Sequence, residues 1–357
     1  MTQATAEDLR WLDAAVRYAT PFLGTTADNP CAAALVVEPR SQTLIARAVT
    51  ARGGRPHPEA LALESAGFEA AGATLYVTLE PCHHWGRTPP CADAIVRSGV
   101  MRVVIGVVDP DPRAAKAGIE RLESAGIEVV LASHAPSAAL HAGHLRQHIK
   151  ARPYVTAMLV VSPEEKIVTA TTGMARDWID LQRSRSSAVL IGAATARAQQ
   201  AQLAVALPGL TARTPLRVVL AGAQGVDRSV NLIGRFSGHR TAIIAENDAS
   251  VDAPVSVEVL RVKGSRGRPD LAASLGALAS KGIQNLLVEP GARLTAALLF
   301  AGLIDCFGLI RSSAAPNTGP AAASSGKIAD LIQAAGLVER GQQTHGTDTL
   351  TFFRRPE

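Results

Sequence analysis

The chain has 357 residues, 47% hydrophobic and 19% charged, which suits two globular domains of roughly 150–200 residues and excludes a disordered or fibrous protein. Its longest apolar run, Leu294 to Ile304, is about half of the ~20 residues that cross a bilayer, and no basic-then-apolar leader opens the chain, so a cytoplasmic protein with no membrane partner is expected. The net charge of +5 is uneven, with 14 Lys and Arg against 15 Asp and Glu in residues 1–150 and 22 against 16 beyond, and no basic run interleaved with aromatics marks a nucleic-acid track.

Thr5-Ala6-Glu7-Asp8 is a capping-box start, and Leu9, Leu12, Val16 and Ala19 follow at helical spacing. Beyond a loop at Thr25–Pro30 come β-like runs at Ala32–Val37 and Thr43–Val49, a helix over Pro58–Ala70, a strand at Thr74–Thr78 and a helix from Ala92. A strand over Val100–Val108, a helix over Arg113–Ala125 and a strand at Glu128–Leu131 complete an α/β layer pattern. Ser133–Arg152 reads as a helical bridge ending at Arg152-Pro153, which predicts domains over 1–150 and 151–357. The second half is again α/β, with strands expected at Tyr154–Val161, Ala188–Ile191, Leu216–Ala221, Thr241–Ala245, Val255–Val262 and Asn285–Val288.

Four cysteines are too sparse for a disulfide framework, and the closeness of Cys82 and Cys91 points to one local site in a reducing compartment. His57 falls at an expected helix N-cap, Pro58 suits the first helical position, and Glu59 lies in the first turn. Cys82 follows a strand and a Glu-Pro turn, and Cys91 opens the next helix. One imidazole and two thiolates are three zinc ligands with the fourth position open, the catalytic pattern. Zinc would bring the pKa of a bound water to about 7, and Glu59, not itself a ligand, is placed to carry its proton to a leaving amine. His-x-Glu with a later Pro-Cys and a second Cys is the signature of base deaminases, although eight residues part the cysteines here in place of two. His83 and His84 are further possible ligands; Cys31 and Cys306 read as core residues.

The stretch Thr78-Leu79-Glu80-Pro81-Cys82-His83-His84-Trp85-Gly86-Arg87-Thr88-Pro89-Pro90-Cys91 closely resembles the zinc loop of the bifunctional riboflavin-biosynthesis deaminase–reductase family. Asn29-Pro30 and Asp109-Pro110-Asp111-Pro112 also match its segments in order. The resemblance implies a cytidine-deaminase-like N-terminal domain, a dihydrofolate-reductase-like C-terminal domain, Zn2+ and NADPH as cofactors, and a homodimer formed through the C-terminal domain. It implies as substrate a phosphorylated small molecule, 2,5-diamino-6-(5-phosphoribosylamino)pyrimidin-4-one, contacted by Asn29, Arg87 and Asp109. Another aminopyrimidine or a nucleoside-like base is the alternative substrate, and a non-catalytic assembly or regulatory paralogue the alternative class.

Departures are concentrated in the second half. Where the family has Lys, Asp and Gly in the opening strand and turn, this chain has Met158, Glu164 and Glu165. Its Asp-Asp-Pro reads Gln199-Gln200-Ala201, its phosphate-holding Arg is Ala206, and Pro290 enters the Val288-Glu289-Pro290-Gly291 turn. Trp178, Thr195, Leu203 and Glu289 are the remaining candidates for cofactor or substrate contact, and lost or altered reductase activity is expected. In the first half Pro58 replaces Ala, Thr50 a substrate-contacting His, His83 a Ser, and Asp111 an Asn.

Overall fold

A computed structural model describes residues 3–85, 89–112, 116–163, 166–168, 173–234, 238–312 and 326–356. The chain separates into two compact units, Met1–Lys150 and Ala151–Glu357.

In the first unit, helix α1 (Ala6–Ala19) precedes strands β1 (Ala33–Glu38) and β2 (Thr43–Val49), helix α2 (Pro58–Ala66), strand β3 (Thr74–Val77) and helix α3 (Cys91–Ser98). Strand β4 (Arg102–Ile105), helix α4 (Ala117–Ser124), strand β5 (Glu128–Leu131) and helices α5 (Ala135–Leu140) and α6 (Ala142–Lys150) follow. The sheet order is β2-β1-β3-β4-β5, with β1 antiparallel to both neighbours and β3, β4 and β5 parallel. Alternation along β1 decides which helices it meets. Ala34 and Val36 pack under α2 with Ala62, Leu63 and Ala66, while Ala33, Leu35 and Val37 face α1 at Leu12, Ala15 and Ala19. Helices therefore cover both faces.

The expected capping box is present: Asp8 N donates to Thr5 Oγ1 and Thr5 N to Asp8 Oδ2. Buried Asp8 also accepts two bonds from Arg102, at 2.7 and 3.0 Å, and one from the Tyr76 hydroxyl, which pins α1 to β3 and β4. The bridge expected over Ser133–Arg152 is broken at His141 into α5 and α6, and the strand expected over Val100–Val108 spans only Arg102–Ile105. The helix expected from Arg113 is described from Ala117; residues 113–115 lie outside the described residues.

The second unit runs β6 (Tyr154–Val161), β7 (Ile167–Val168), α7 (Gly173–Arg185), β8 (Ala188–Gly192), α8 (Ala193–Gln199), β9 (Leu216–Leu220), α9 (Asn231–Gly234), β10 (Thr241–Glu246) and β11 (Glu258–Val262). A small ribbon of β12 (Gly264–Ser265) and β13 (Arg268–Pro269) precedes α10 (Leu271–Ala279), β14 (Asn285–Val288), α11 (Ala292–Phe300), β15 (Cys306–Arg311), α12 (Gly326–Ala334), β16 (Val338–His345) and β17 (Asp348–Arg354). The main sheet is ordered β11-β10-β9-β8-β14-β6-β15-β17-β16, with β7 paired to β6. From β11 to β15 neighbours are parallel; β17 and β16 close the sheet antiparallel. The run Leu294–Ile304 is mostly α11, and Ile304 is fully buried. Among the described residues no helix is long and apolar enough to cross a membrane.

Candidate metal centre and deaminase site

His57 is the N-cap of α2, held extended at φ −73°, ψ 158°, with Pro58 in the first helical position. Cys91 is the first residue of α3, and its backbone N–H points at Cys82 Sγ at 3.4 Å. Nδ1 of His57 stands 3.6 Å from Cys82 Sγ and 3.4 Å from Cys91 Sγ. All three donor atoms lie within 4.8 Å of one another, the single such cluster among the described residues. A tetrahedral zinc with Zn–N of about 2.0–2.1 Å and Zn–S of about 2.3 Å requires N···S edges of about 3.6 Å. The observed distances match that edge, so the donor set fits zinc. His83 and His84 stand outside the cluster.

The electrostatics favour a cation there. A shared proton between the two thiols, helped by His57, brings the Cys82 thiol down to about 4. The same sharing, with burial, pushes Cys91 up. Burial opposes charging His57, but its bond to Cys82 and the nearby Glu59 carboxylate outweigh that and raise it. Glu59 is buried, which raises its carboxyl against the pull of His57, and its Oε2 has no hydrogen-bond partner. Glu59 is thus a buried carboxyl coupled to His57 and Cys82, with one oxygen left without a partner.

The other deaminase candidates divide. Asn29 is half-buried in the loop before β1, and its amide nitrogen donates to Asp28. Asp109 follows β4; its Oδ1 accepts from His144 Nε2 at 2.8 Å and from Asp111 N at 2.9 Å, and its N–H donates to Glu80. Burial works against the charged form of Asp109, but His144 outweighs it and holds the carboxyl below its usual range. Arg87 lies outside the described residues, as do Glu164 and Glu165. Thr50 turns inward: its hydroxyl donates to Pro30 O and accepts from Ala32 N, so the side chain braces the Asn29 loop. His144 was not legible from sequence, since it lies 35 residues from Asp109 on a helix with no motif of its own.

Chain-wide comparison assigns the family. The cytidine and deoxycytidylate deaminase zinc-binding region matches residues 5–107, and the RibD C-terminal domain matches residues 159–313. Riboflavin biosynthesis protein RibD of Escherichia coli is 33% identical over 320 residues, covering 84% of this chain and 86% of that one. The chain belongs to the RibD family of bifunctional riboflavin-biosynthesis deaminase–reductases. RibD of Acinetobacter baumannii superposes with a TM-score of 0.79 at 28% identity, covering 98% of this chain and 99% of that one. A deaminase/reductase from Thermotoga maritima gives 0.82 at 27% identity with the same coverage. The first unit is thus a zinc-dependent deaminase domain of the riboflavin pathway, and the second a RibD reductase-like domain.

In that second domain the remaining RibD-like candidates are engaged internally. Trp178 packs on Phe352 at 5.5 Å between ring centroids. Thr195 stands against Gly291, where any Cβ would strike its hydroxyl. Leu203 is buried in the core with a left-handed φ of 55°. Both carboxylate oxygens of Glu289 are held by Arg183, whose Nη1 also bonds Asp180 and the Ala204 carbonyl. Asp180 in turn accepts from Ala206 N, at the position where the resemblance calls for a phosphate-binding Arg. Met158 is buried against Gly308, and Gln199 is exposed at the end of α8.

Proposed function

We propose that this chain hydrolytically deaminates 2,5-diamino-6-(5-phosphoribosylamino)pyrimidin-4-one at its 2-amino group, and that its reductase half lacks efficient NADPH-dependent activity. The observation that carries the first statement is the tetrahedral spacing of His57, Cys82 and Cys91 beside the free Oε2 of Glu59.

Zinc held by His57, Cys82 and Cys91 would supply Lewis-acid activation of a water. His57 and Cys91, at helix starts, and the Cys91 amide aimed at Cys82 hold the donors in register before metal arrives. Glu59 takes a proton at Oε2 and returns it to the departing amine, and its burial keeps bulk water from competing for that proton. Asn29 reads the pyrimidine edge with its amide, Arg87 clamps the ribose phosphate, and Asp109 accepts from a hydroxyl or amine.

Self-association through the second domain and a cytoplasmic location complete the reading. The first rests on the family resemblance alone; sedimentation of the full chain as a monomer would refute it. For the chemistry, Glu59→Gln should keep zinc and lower the deamination rate by roughly 10²–10⁴-fold. Near-normal ammonia release from that variant would remove Glu59 from the mechanism.

A further inference from the structure

The Asn29 loop and the loop leading to His57 are laced together. Gly53 N donates across to Thr25 O at 2.9 Å, while Gly54 N to Ala51 O at 2.8 Å closes a turn within the second loop. Asn29 is fixed at both backbone groups: its N–H donates to Thr26 O, and its carbonyl accepts from Thr26 Oγ1 at 2.8 Å. Thr50 adds the bond to Pro30 O at 2.9 Å. The backbone of Asn29 therefore cannot retreat without breaking several bonds.

Against this fixed side chain stands the bare α-carbon of Gly54. A Cβ built there would lie 2.6 Å from Asn29 Cγ and 2.8 Å from Asn29 Cβ, and closer still to Nδ2. Cγ and Nδ2 can swing about χ1 but Cβ is fixed by the backbone, so a rotamer change alone does not clear the overlap. Gly54 also has φ +94°, and its neighbour Gly53 has φ +80° with nothing within 4 Å of a built Cβ. The two glycines share the backbone requirement and differ in the contact.

We infer that Gly54 is a positioning residue for the deaminase reaction: its missing Cβ lets the loop that ends in His57 rest directly on Asn29 and so sets the Asn29 amide relative to the metal centre. This rests on Asn29 being a substrate ligand, as read above. A side chain at position 54 pushes the Asn29 amide off its station while leaving His57, Cys82 and Cys91 to bind metal.

The test uses the full-length zinc-loaded chain and the phosphoribosyl diaminopyrimidine as substrate. Gly54→Ala should retain zinc and raise KM by roughly tenfold or more, while Gly53→Ala, with like backbone strain but open space, stays within about threefold. In an Asn29→Gly background, Gly54→Ala should add less than about threefold, because the group it displaces is gone. Equal effects of the two alanines, or an undiminished Gly54→Ala effect in that background, would overturn the inference in favour of simple loop strain. An unchanged KM in Asn29→Gly would instead remove Asn29 as a ligand and the inference with it; a raised KM there with a normal Gly54→Ala overturns the inference alone. If Gly54→Ala does not accumulate with zinc, recovery of zinc loading in the Asn29→Gly double variant supports the contact, and failure to recover counts against it.

Discussion

Arg183 and Glu289, 106 residues apart, form a two-pronged pair, with Nε 2.6 Å from Oε1 and Nη2 2.7 Å from Oε2. Arg183 is almost wholly buried, and its remaining nitrogen bonds Asp180 at 2.8 Å. The last carboxylate that the resemblance offers to the reductase site is therefore neutralised from within. Removing the guanidinium takes both prongs from Glu289 and leaves Asp180 with Arg176, at 3.2 Å, and the Ala206 amide. Arg183→Met should cost about 3–5 kcal/mol of stability in the second domain, the scale for an uncompensated buried charge. Arg183→Lys should recover little, since an ammonium cannot make both prongs and the third bond at once. Denaturant unfolding checks this; a loss below about 1 kcal/mol would mean that the network relaxes freely.

Hydride transfer needs nicotinamide and substrate held face to face, so the protein contributes positioning. Met158, Gln199 and Ala206 are neutral where the resemblance expects charge, and a lost charge-assisted hydrogen bond costs about 1.5–3 kcal/mol each. Supplied with the deaminated intermediate and NADPH, the chain should release no ribitylated product at a useful rate. Genetically, it should complement a strain lacking only the deaminase step and fail in one lacking only the reductase. Robust NADPH consumption coupled to product would show that other residues have taken over those contacts.

At the metal centre, purified protein should hold about one zinc per chain, and Cys91→Ser should fall well below that, because a neutral hydroxyl is a poor substitute for a thiolate donor. Elemental analysis decides it. Full zinc retention by Cys91→Ser would break the three-donor assignment. Dialysis against a chelator should abolish deamination, and added zinc should restore it.

His141 supplies the pH dependence. It is fully buried, its Nε2 meets Thr78 Oγ1 at 3.0 Å, and its Nδ1 has no partner. Burial, with the nearby His144 and against the opposing pull of Asp109, brings it down to about 3. The unfolded chain therefore binds a proton near pH 6.5 that the folded chain refuses until about pH 3, and stability falls as pH drops through that window. Each pH unit costs up to about 1.4 kcal/mol for this one group. Asp8, brought to about 2 chiefly by Arg102 against its own burial, adds an acid loss only below about pH 4. His141→Asn, which keeps a partner for Thr78, should flatten the melting temperature of the first domain between pH 6.5 and 4 relative to wild type. An unchanged slope would place the acid sensitivity elsewhere.

Much of the deaminase site was legible because its parts obey local rules. A Pro after His57 and a Pro before Cys91 mark helix starts, and the helix starts are where the structure puts both residues. The strands β2, β6 and β14 likewise have the bounds that their apolar runs predict. The C-terminal strands were not foreseen. β16 carries Glu339, Arg340, Gln342 and Gln343 and has no apolar alternation; it is a strand because β17 pairs with it along its length. β15 has Gly308 in its middle, a residue that weakens an isolated strand but here lets Met158 and Leu350 close over it.

The amino-acid sequence by itself determined the chemistry: one imidazole, two thiolates and a carboxylate at spacings that short-range helix and turn rules convert into a zinc site. Only the tertiary structure decided which of the remaining polar groups are free to act. Glu289 is occupied by Arg183 and Asp109 is braced by His144, while Thr50 turns inward and Asn29 rests on Gly54. The reason is physical. Backbone propensity acts over a few neighbouring residues, but a buried polar group must find its partner wherever the fold brings one, and that distance along the chain carries no periodic signature.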